Sequence, residues 1–82
     1  MIERTIDINI SLDPSAVALL VQTATTFKSL ITFTQADKGA NAKSLMGIIS
    51  LGLCAGQTVT ITADGEDEVQ ALSAVDAFLR AK

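Results

Sequence analysis

The sequence predicts a single α+β domain, an open-faced two-layer sandwich in which helices cover one face of a sheet. Apolar residues alternate with polar ones in the segments predicted as strands and recur at helical spacing in the others. The predicted order is βαββαβα. Because each helix is apolar on one side, a four-stranded antiparallel sheet with three helices on one face would bury them all. A ferredoxin-like plait with an added helix is the alternative, since its first six elements follow the same order.

The first strand and helix occupy the N-terminal third. The N-terminus "MIERTIDINI" alternates and continues to Leu12, which predicts a strand with one buried face. "DPSAVALLVQTATTF" then predicts a helix with Asp13 as its N-cap and Pro14 in its first position. The inward residues predicted for these two elements are Ile6, Ile8, Ile10, Leu12, Val17, Leu20, Val21 and Ala24.

The middle of the chain predicts a hairpin and a short helix. "LITFT" is the second strand, "QADKG" a turn and "ANA" a short third strand. Ser44 is the expected N-cap of the second helix, which should run to about Leu53 and be ended by Gly52 and Gly56.

The C-terminal part predicts the fourth strand, "TVTITA", and the last helix, "GEDEVQALSAVDAFLRAK". That helix has acids in its first turn and Arg80 and Lys82 in its last, which complement the helix dipole. Its predicted inward residues are Val69, Leu72, Val75 and Leu79.

Composition limits the function classes. The 82 residues form one domain, 1–82, with a net charge of −3 and neither Tyr nor Trp. No basic stripe or stacking platform is present for a nucleic acid. Cys54 has no partner for an internal disulfide and is interpreted as a small packing residue, which suits a reducing, cytoplasmic compartment. The uncharged stretch from Ser44 to Ala63 is broken by glycines and ends in strand alternation, so no membrane span is expected.

Catalysis is not expected either. The chain has no histidine, which removes Ser-His and Cys-His dyads and most zinc sites. It has no Gly-rich phosphate-binding loop. The acids at 64 and 66–68 lack the spacing of an EF-hand and are interpreted as a solvated first helical turn. No catalytic residue, cofactor or metal is therefore assigned.

Three stretches carry a resemblance to a known family. "VQTATTF", "NAKSLMGIISLG" and "GEDEVQAL" occur in an order and at separations that resemble HPr, the phosphocarrier of the bacterial sugar phosphotransferase system. The part from Asn41 to Gly52 is similar to the Gram-positive type. The resemblance implies the open-faced sandwich and favours it over the plait.

The resemblance also implies that the carrier site is lost. HPr proteins begin the first helix with a phosphate-carrying histidine, followed two residues later by an arginine; the matching positions here are Asp13 and Ser15. Asp13 is interpreted as an N-cap. Two alternatives are a permanent negative charge in place of phosphate and an acyl-phosphate acceptor, although the latter normally needs magnesium and further carboxylates, and none lies nearby in sequence.

A second HPr site is retained. In Gram-positive HPr, a serine at the start of the second helix is phosphorylated by HPr kinase/phosphorylase, and the modified protein binds the catabolite control repressor. Ser44 matches that serine. On a helix that begins there, Leu45 and Ile48 can turn inward, whereas Met46 and Ile49 share another stripe. A crowded core helix is the alternative explanation for this apolar run. The predicted partner-binding residues are Lys43, Leu45, Met46 and Ile49.

These features predict a non-catalytic regulatory adapter, similar to the HPr-like branch that lacks the histidine and serves carbon catabolite repression. The expected partners are an HPr-type kinase and a catabolite-control repressor or other phosphotransferase-system proteins, with no nucleic acid or membrane, and a monomer is favoured. The alternative is a phosphorylation-blind module that occupies HPr-binding surfaces. The missing arginine weakens both expected interactions, because in the family it helps to hold the kinase and the repressor.

Overall fold

A computed structural model describes residues 1–80, and over that range the chain forms four strands and three helices in the predicted order. The predicted α+β class is confirmed. Lys82, assigned from the sequence to the last helical turn, lies outside the described residues. The elements are β1 Ile2–Asp7, α1 Pro14–Thr25, β2 Leu30–Gln35, β3 Lys38–Asn41, α2 Leu45–Leu51, β4 Thr58–Asp64 and α3 Glu68–Arg80.

The sheet has the order β1-β4-β2-β3, and every neighbouring pair is antiparallel. Ile6 pairs with Val59, and Phe33 pairs with Ile61, so the apolar positions of the three longer strands align on one face. In a plait built on split βαβ units the first strand lies inside the sheet. Here β1 is an edge strand, so the open-faced sandwich is the correct alternative.

The core is aliphatic except for Phe33 and lies between the sheet and the helices. Alternate strand residues and one stripe of each helix are buried, as the strand and helix periods require. Thr5 and Thr60 lie on the other face, where their hydroxyl oxygens are 3.3 Å apart. The buried core side chains include Ile6, Val17, Leu20, Ile31, Phe33, Ile48, Val59, Ile61, Leu72, Val75 and Leu79. Within residues 1–80, no helix combines the length and apolar content that crossing a bilayer would require.

The first strand is shorter than the alternation predicts, because the ladder ends at Asp7 and not near Leu12. Ile8 remains buried, and its N–H donates to the Gln57 carbonyl at 2.9 Å. The Asn9 N–H then donates to the carbonyl of Leu79 at the end of α3, also at 2.9 Å. After Asp7 the chain therefore turns away from the sheet toward α3, while buried and exposed side chains continue to alternate along it.

Other boundaries also differ from the prediction; α1, for example, ends at Thr25 and not at Phe27. β3 begins at Lys38, not at Ala40, because Gln35 pairs directly with Lys38 and Ala36 takes a φ of 55° in the tight turn between them. α2 ends at Leu51, not at Leu53, because Gly52 adopts the left-handed conformation (φ 65°) that terminates many helices.

Besides Leu45 of α2, two side chains predicted to be inside are exposed. Val69 is 62% exposed, because the buried stripe of α3 is centred near Val75 and Val69 lies roughly 120° away around the helix axis. Ala71 occupies the buried position instead. Cys54 is exposed as well, since the chain turns after Gly52 so that its neighbour Leu53 is the residue that packs inward.

Asp67 was predicted to be a solvated residue of the first turn of the last helix, but it joins two loops. Its carboxylate accepts the backbone N–H groups of Lys28 and Ser29, each at 2.9 Å, and the Ser29 hydroxyl. These hydrogen bonds hold the pKa of Asp67 below its usual value. The bond from the Ser29 hydroxyl lowers the pKa most, and the bond from the Lys28 N–H comes next. The link fixes the loop after α1 to the loop before α3.

Candidate functional site

The first turn of α1 has the predicted cap. Asp13 has extended backbone angles, and its side-chain Oδ1 accepts the N–H of Ala16 at 2.8 Å. Its carbonyl accepts the N–H of Val17 at 2.9 Å, which is the first intrahelical bond. Pro14 follows in the first helical position, where its missing N–H is not needed. The Asp13 carboxylate is therefore used to start the helix.

No cation accompanies this carboxylate along the chain. The segment between Arg4 and Lys28 contains no basic residue, and Ser15 is exposed and uncharged. Arg4 itself is paired with Asp76 of α3 at 2.6 Å. In residues 1–80, no group of three or more His, Cys, Asp or Glu side chains is placed to hold a metal ion. The turn thus lacks an imidazole, and the segment from residue 5 to residue 27 supplies no Arg or Lys to neutralise a transferring phosphoryl group.

Ser44 is the N-cap of α2 and is exposed. Its side-chain oxygen accepts the N–H of Gly47 at 3.2 Å, and its carbonyl accepts the N–H of Ile48 at 3.1 Å. The Ser44 N–H donates to the carbonyl of Asn41 at 2.9 Å, which joins the cap to the end of β3. The hydroxyl is consequently fixed on the protein surface at the start of a helix, as the sequence predicts.

Beside Ser44, α2 exposes three apolar side chains that we call the α2 patch: Leu45, Met46 and Ile49. Met46 is 69% exposed, and Leu45 and Ile49 are each 40% exposed. The predicted exposure of Met46 and Ile49 is confirmed, whereas the expectation that Leu45 turns inward is wrong. A helix of seven residues buries only a narrow stripe, here Ile48 and Leu51, so the alternative of a wholly buried core helix does not hold.

A small apolar cleft of about 80 Å³ connects the first turn of α1 with α2. Pro14, next to Asp13, lines one side, and Ile49 of the α2 patch lines the other. The residue that follows Asp13 and one residue of the α2 patch therefore line the same cleft. Sequence reasoning missed this cleft, because it placed Leu12 inside the first strand. The cleft is lined by Leu12, Pro14, Val17, Ile48, Ile49, Gly52 and Leu53.

Lys43 makes an internal contact that the sequence did not indicate. Its ammonium Nζ donates to the carbonyl of Phe27, just beyond the end of α1, at 2.8 Å, and the side chain is half-buried. The bond links the start of α2 to the loop that follows α1. A partner that used Lys43 would have to share or replace this contact.

Comparisons with known proteins agree with the fold. The family model described as "PTS HPr component phosphorylation site" matches residues 2–81. The chain is 37% identical to the HPr-like protein Crh of Halalkalibacterium halodurans over 81 residues, which cover 96% of both chains. It is 35% identical to Crh of Bacillus subtilis over 82 residues, which cover 98% of this chain and 96% of Crh.

A solved structure gives the same architecture. The crystal structure of HPr-C-His from Thermoanaerobacter tengcongensis superposes with a TM-score of 0.94 at 41% identity and covers 99% of this chain and 93% of that chain. The four-stranded antiparallel sheet with its helices on one face is therefore an arrangement that this chain shares with solved HPr.

Proposed function

This chain belongs to the HPr family, and from that premise we propose that it is a regulatory, non-catalytic member acting in carbon catabolite repression. Identity alone does not select the branch, since the chain is 41% identical to a solved HPr and 35–37% identical to two Crh proteins. The observation that carries the proposal is the combination of no histidine with an exposed serine cap at Ser44. The missing histidine separates the chain from a carrier, and the serine cap supplies the site at which it would be regulated.

The carrier reaction has no acceptor in this proposal. Enzyme I transfers its phosphoryl group to an imidazole, and the carboxylate at that position is Asp13, whose Oδ1 is engaged with the Ala16 N–H. The negative charge of a carboxylate would also repel an entering phosphoryl group. Ser15, which stands in place of the family arginine, has no positive charge to offset this repulsion. Asp13 therefore keeps the helix start and supplies a fixed negative charge without carrying phosphate.

Ser44 is the proposed point of regulation. An HPr-type kinase would transfer the γ-phosphoryl group of ATP to the Ser44 side-chain oxygen. The modification adds about −1.5 to −2 charges at neutral pH, and these charges lie at the positive end of α2. Because the modified side chain stays at the cap and outside the core, the fold should survive phosphorylation.

The proposed docking surface combines this phosphate with the α2 patch. A partner arginine could bind the phosphate with two parallel hydrogen bonds. Met46 and Ile49 would supply adaptable apolar contact on the same helix. We assign Lys43, Leu45, Met46 and Ile49 to this surface, with an HPr-type kinase and a catabolite-control repressor as partners in the cytoplasm.

A phosphorylation-blind module is the second candidate function. The observation that favours it is Ser15, because the family arginine missing from this position helps to hold the kinase and the repressor. Such a module would occupy HPr-binding surfaces through the α2 patch alone. A coexisting HPr-type kinase in the same genome would support the adapter, and its absence would favour the module.

Incubation with an HPr-type kinase and ATP separates the two candidates. The adapter predicts the mass of a single added phosphoryl group, located on Ser44 by peptide mapping. Ser44→Ala should stay unmodified under the same conditions, which excludes another hydroxyl as the acceptor. A wild-type chain that stays unmodified, with an HPr control fully phosphorylated, would refute the adapter and leave the phosphorylation-blind module.

A further inference from the structure

A glycine is unexpected at position 47. It lies three residues after the N-cap Ser44, in the first turn of the short helix α2. Glycine is among the weakest helix formers, and Glu or Gln at this position would add a reciprocal cap. A seven-residue helix has few other residues to compensate. Helix formation therefore does not explain the presence of a glycine at position 47.

The space around Gly47 indicates that reason. A Cβ atom placed on it would lie 3.1 Å from the Ser44 side-chain oxygen and 3.2 Å from the Cβ of Ala40. In a helix the Cα–Cβ bond tilts toward the N-terminus, so a side chain here would lean over the capping hydroxyl. The glycine leaves that side of the Ser44 oxygen uncovered while its N–H holds the same oxygen at 3.2 Å.

We propose that Gly47 is a specificity-determining residue for phosphorylation of Ser44, because its missing side chain keeps the capping oxygen open to the incoming phosphoryl group. The inference rests on the proposed function. In that reaction the Ser44 oxygen bonds to the γ-phosphorus of ATP, the bond from that phosphorus to the β–γ bridging oxygen breaks, and ADP leaves. The hydroxyl proton passes to a base of the kinase. The three peripheral oxygens of the transferring group need room around the Ser44 oxygen, and a methyl group 3.1 Å away would occupy part of it.

Close packing against β3 is the competing explanation, because the same added Cβ would also press on Ala40. The two explanations predict different rescue. Removing the Ala40 methyl group relieves the contact with β3 and leaves the contact with Ser44 unchanged. A variant pair at positions 40 and 47 therefore distinguishes access to the hydroxyl from packing of the helix.

The experiment measures phosphorylation of the full chain by an HPr-type kinase and ATP in four proteins: wild type, Gly47→Ala, Ala40→Gly and the double variant. Circular dichroism and thermal melting establish that each protein is folded. We expect Gly47→Ala to lower kcat at least about tenfold, which corresponds to about 1.4 kcal/mol of activation free energy. The KM for the chain should stay unchanged because the α2 patch is intact. The double variant should remain as slow, and Ala40→Gly should match the wild type.

Each other outcome overturns the inference. A wild-type rate in folded Gly47→Ala would show that the side of the Ser44 oxygen next to position 47 is not used. Recovery in the double variant would assign the effect to packing against Ala40. A rise in KM at constant kcat would place the effect in docking. An unmodified wild-type chain would overturn the proposed function and, with it, this inference, whereas the first three outcomes leave the proposed function intact.

Discussion

The Ser44 side-chain oxygen accepts a hydrogen bond from the Gly47 backbone N–H at 3.2 Å, so the proposed phosphate acceptor also caps α2. A substitution of Ser44 therefore changes two properties at once, helix stability and modification. Asparagine separates them, because it caps a helix about as well as serine does but has no hydroxyl group.

Ser44→Asn should retain the stability of the wild type and lose phosphorylation, whereas Ser44→Ala should lose both. The alanine variant removes the side-chain acceptor of the Gly47 N–H and should cost about 0.5–2 kcal/mol of unfolding free energy. Denaturant unfolding and intact-mass measurement after kinase treatment check the two effects. Equal unfolding free energies for Ala and wild type would show that the cap at Ser44 contributes little.

The chain should not accept a phosphoryl group from enzyme I and phosphoenolpyruvate, because it has no histidine. Asp13→His alone should not restore efficient transfer, since Ser15 leaves the imidazole without its cationic neighbour. The matched variant is Asp13→His combined with Ser15→Arg, which should transfer faster. The assay measures acid-labile phosphate. Acid-labile phosphate on the wild type would contradict the assignment, and full activity in the single variant would show that the arginine matters less than proposed.

Asp13→Ala should cost about 0.5–2 kcal/mol of unfolding free energy, because the Ala16 N–H would lose its side-chain acceptor. Asp13→Asn should be nearly neutral for stability, since its amide oxygen can accept the same bond. The denaturation midpoint measures both. If Asp13→Asn keeps its midpoint but loses partner binding, the negative charge is functional and capping is not a sufficient explanation.

The Asp67 link should make stability depend on acid pH. Hydrogen bonds from Ser29 and the Lys28 N–H lower the pKa of Asp67, so the unfolded chain binds the proton more readily than the folded one. The contribution is complete above the unfolded pKa of about 3.9 and is lost as pH falls through the lower native pKa. The advantage of the wild type over Asp67→Asn in urea unfolding should therefore shrink as the pH falls below about 4. A difference that does not change with pH would contradict this role.

The features that the sequence predicted well are local. Asp13 and Ser44 each accept a hydrogen bond from a backbone N–H three residues further along, so residue type and position are enough to predict both caps. The alternating strands likewise determined the inward face of the sheet, because the strand period depends only on neighbouring residues.

The features that it missed depend on distant residues. Asp67 and Ser29 are 38 positions apart, and Lys43 meets a carbonyl 16 positions earlier, so neither contact leaves a local pattern. Val69 fits the helical spacing, but its exposure depends on which side of α3 faces the sheet. The apolar cleft was likewise invisible, because it forms only when the first turn of α1 and α2 are packed together.

The most direct test of the account compares the affinity of one preparation for a catabolite-control repressor before and after kinase treatment, by titration calorimetry. The phosphate at Ser44 should tighten binding at least about tenfold, equal to about 1.4 kcal/mol. Phosphorylated Met46→Asp should bind more weakly than the phosphorylated wild type, because it places a charge in the α2 patch. Kinase-treated Ser44→Asn, which keeps the cap, should bind like the untreated wild type. Equal affinities for the untreated and the fully phosphorylated wild-type chain would contradict the central claim that phosphate at Ser44 switches partner binding.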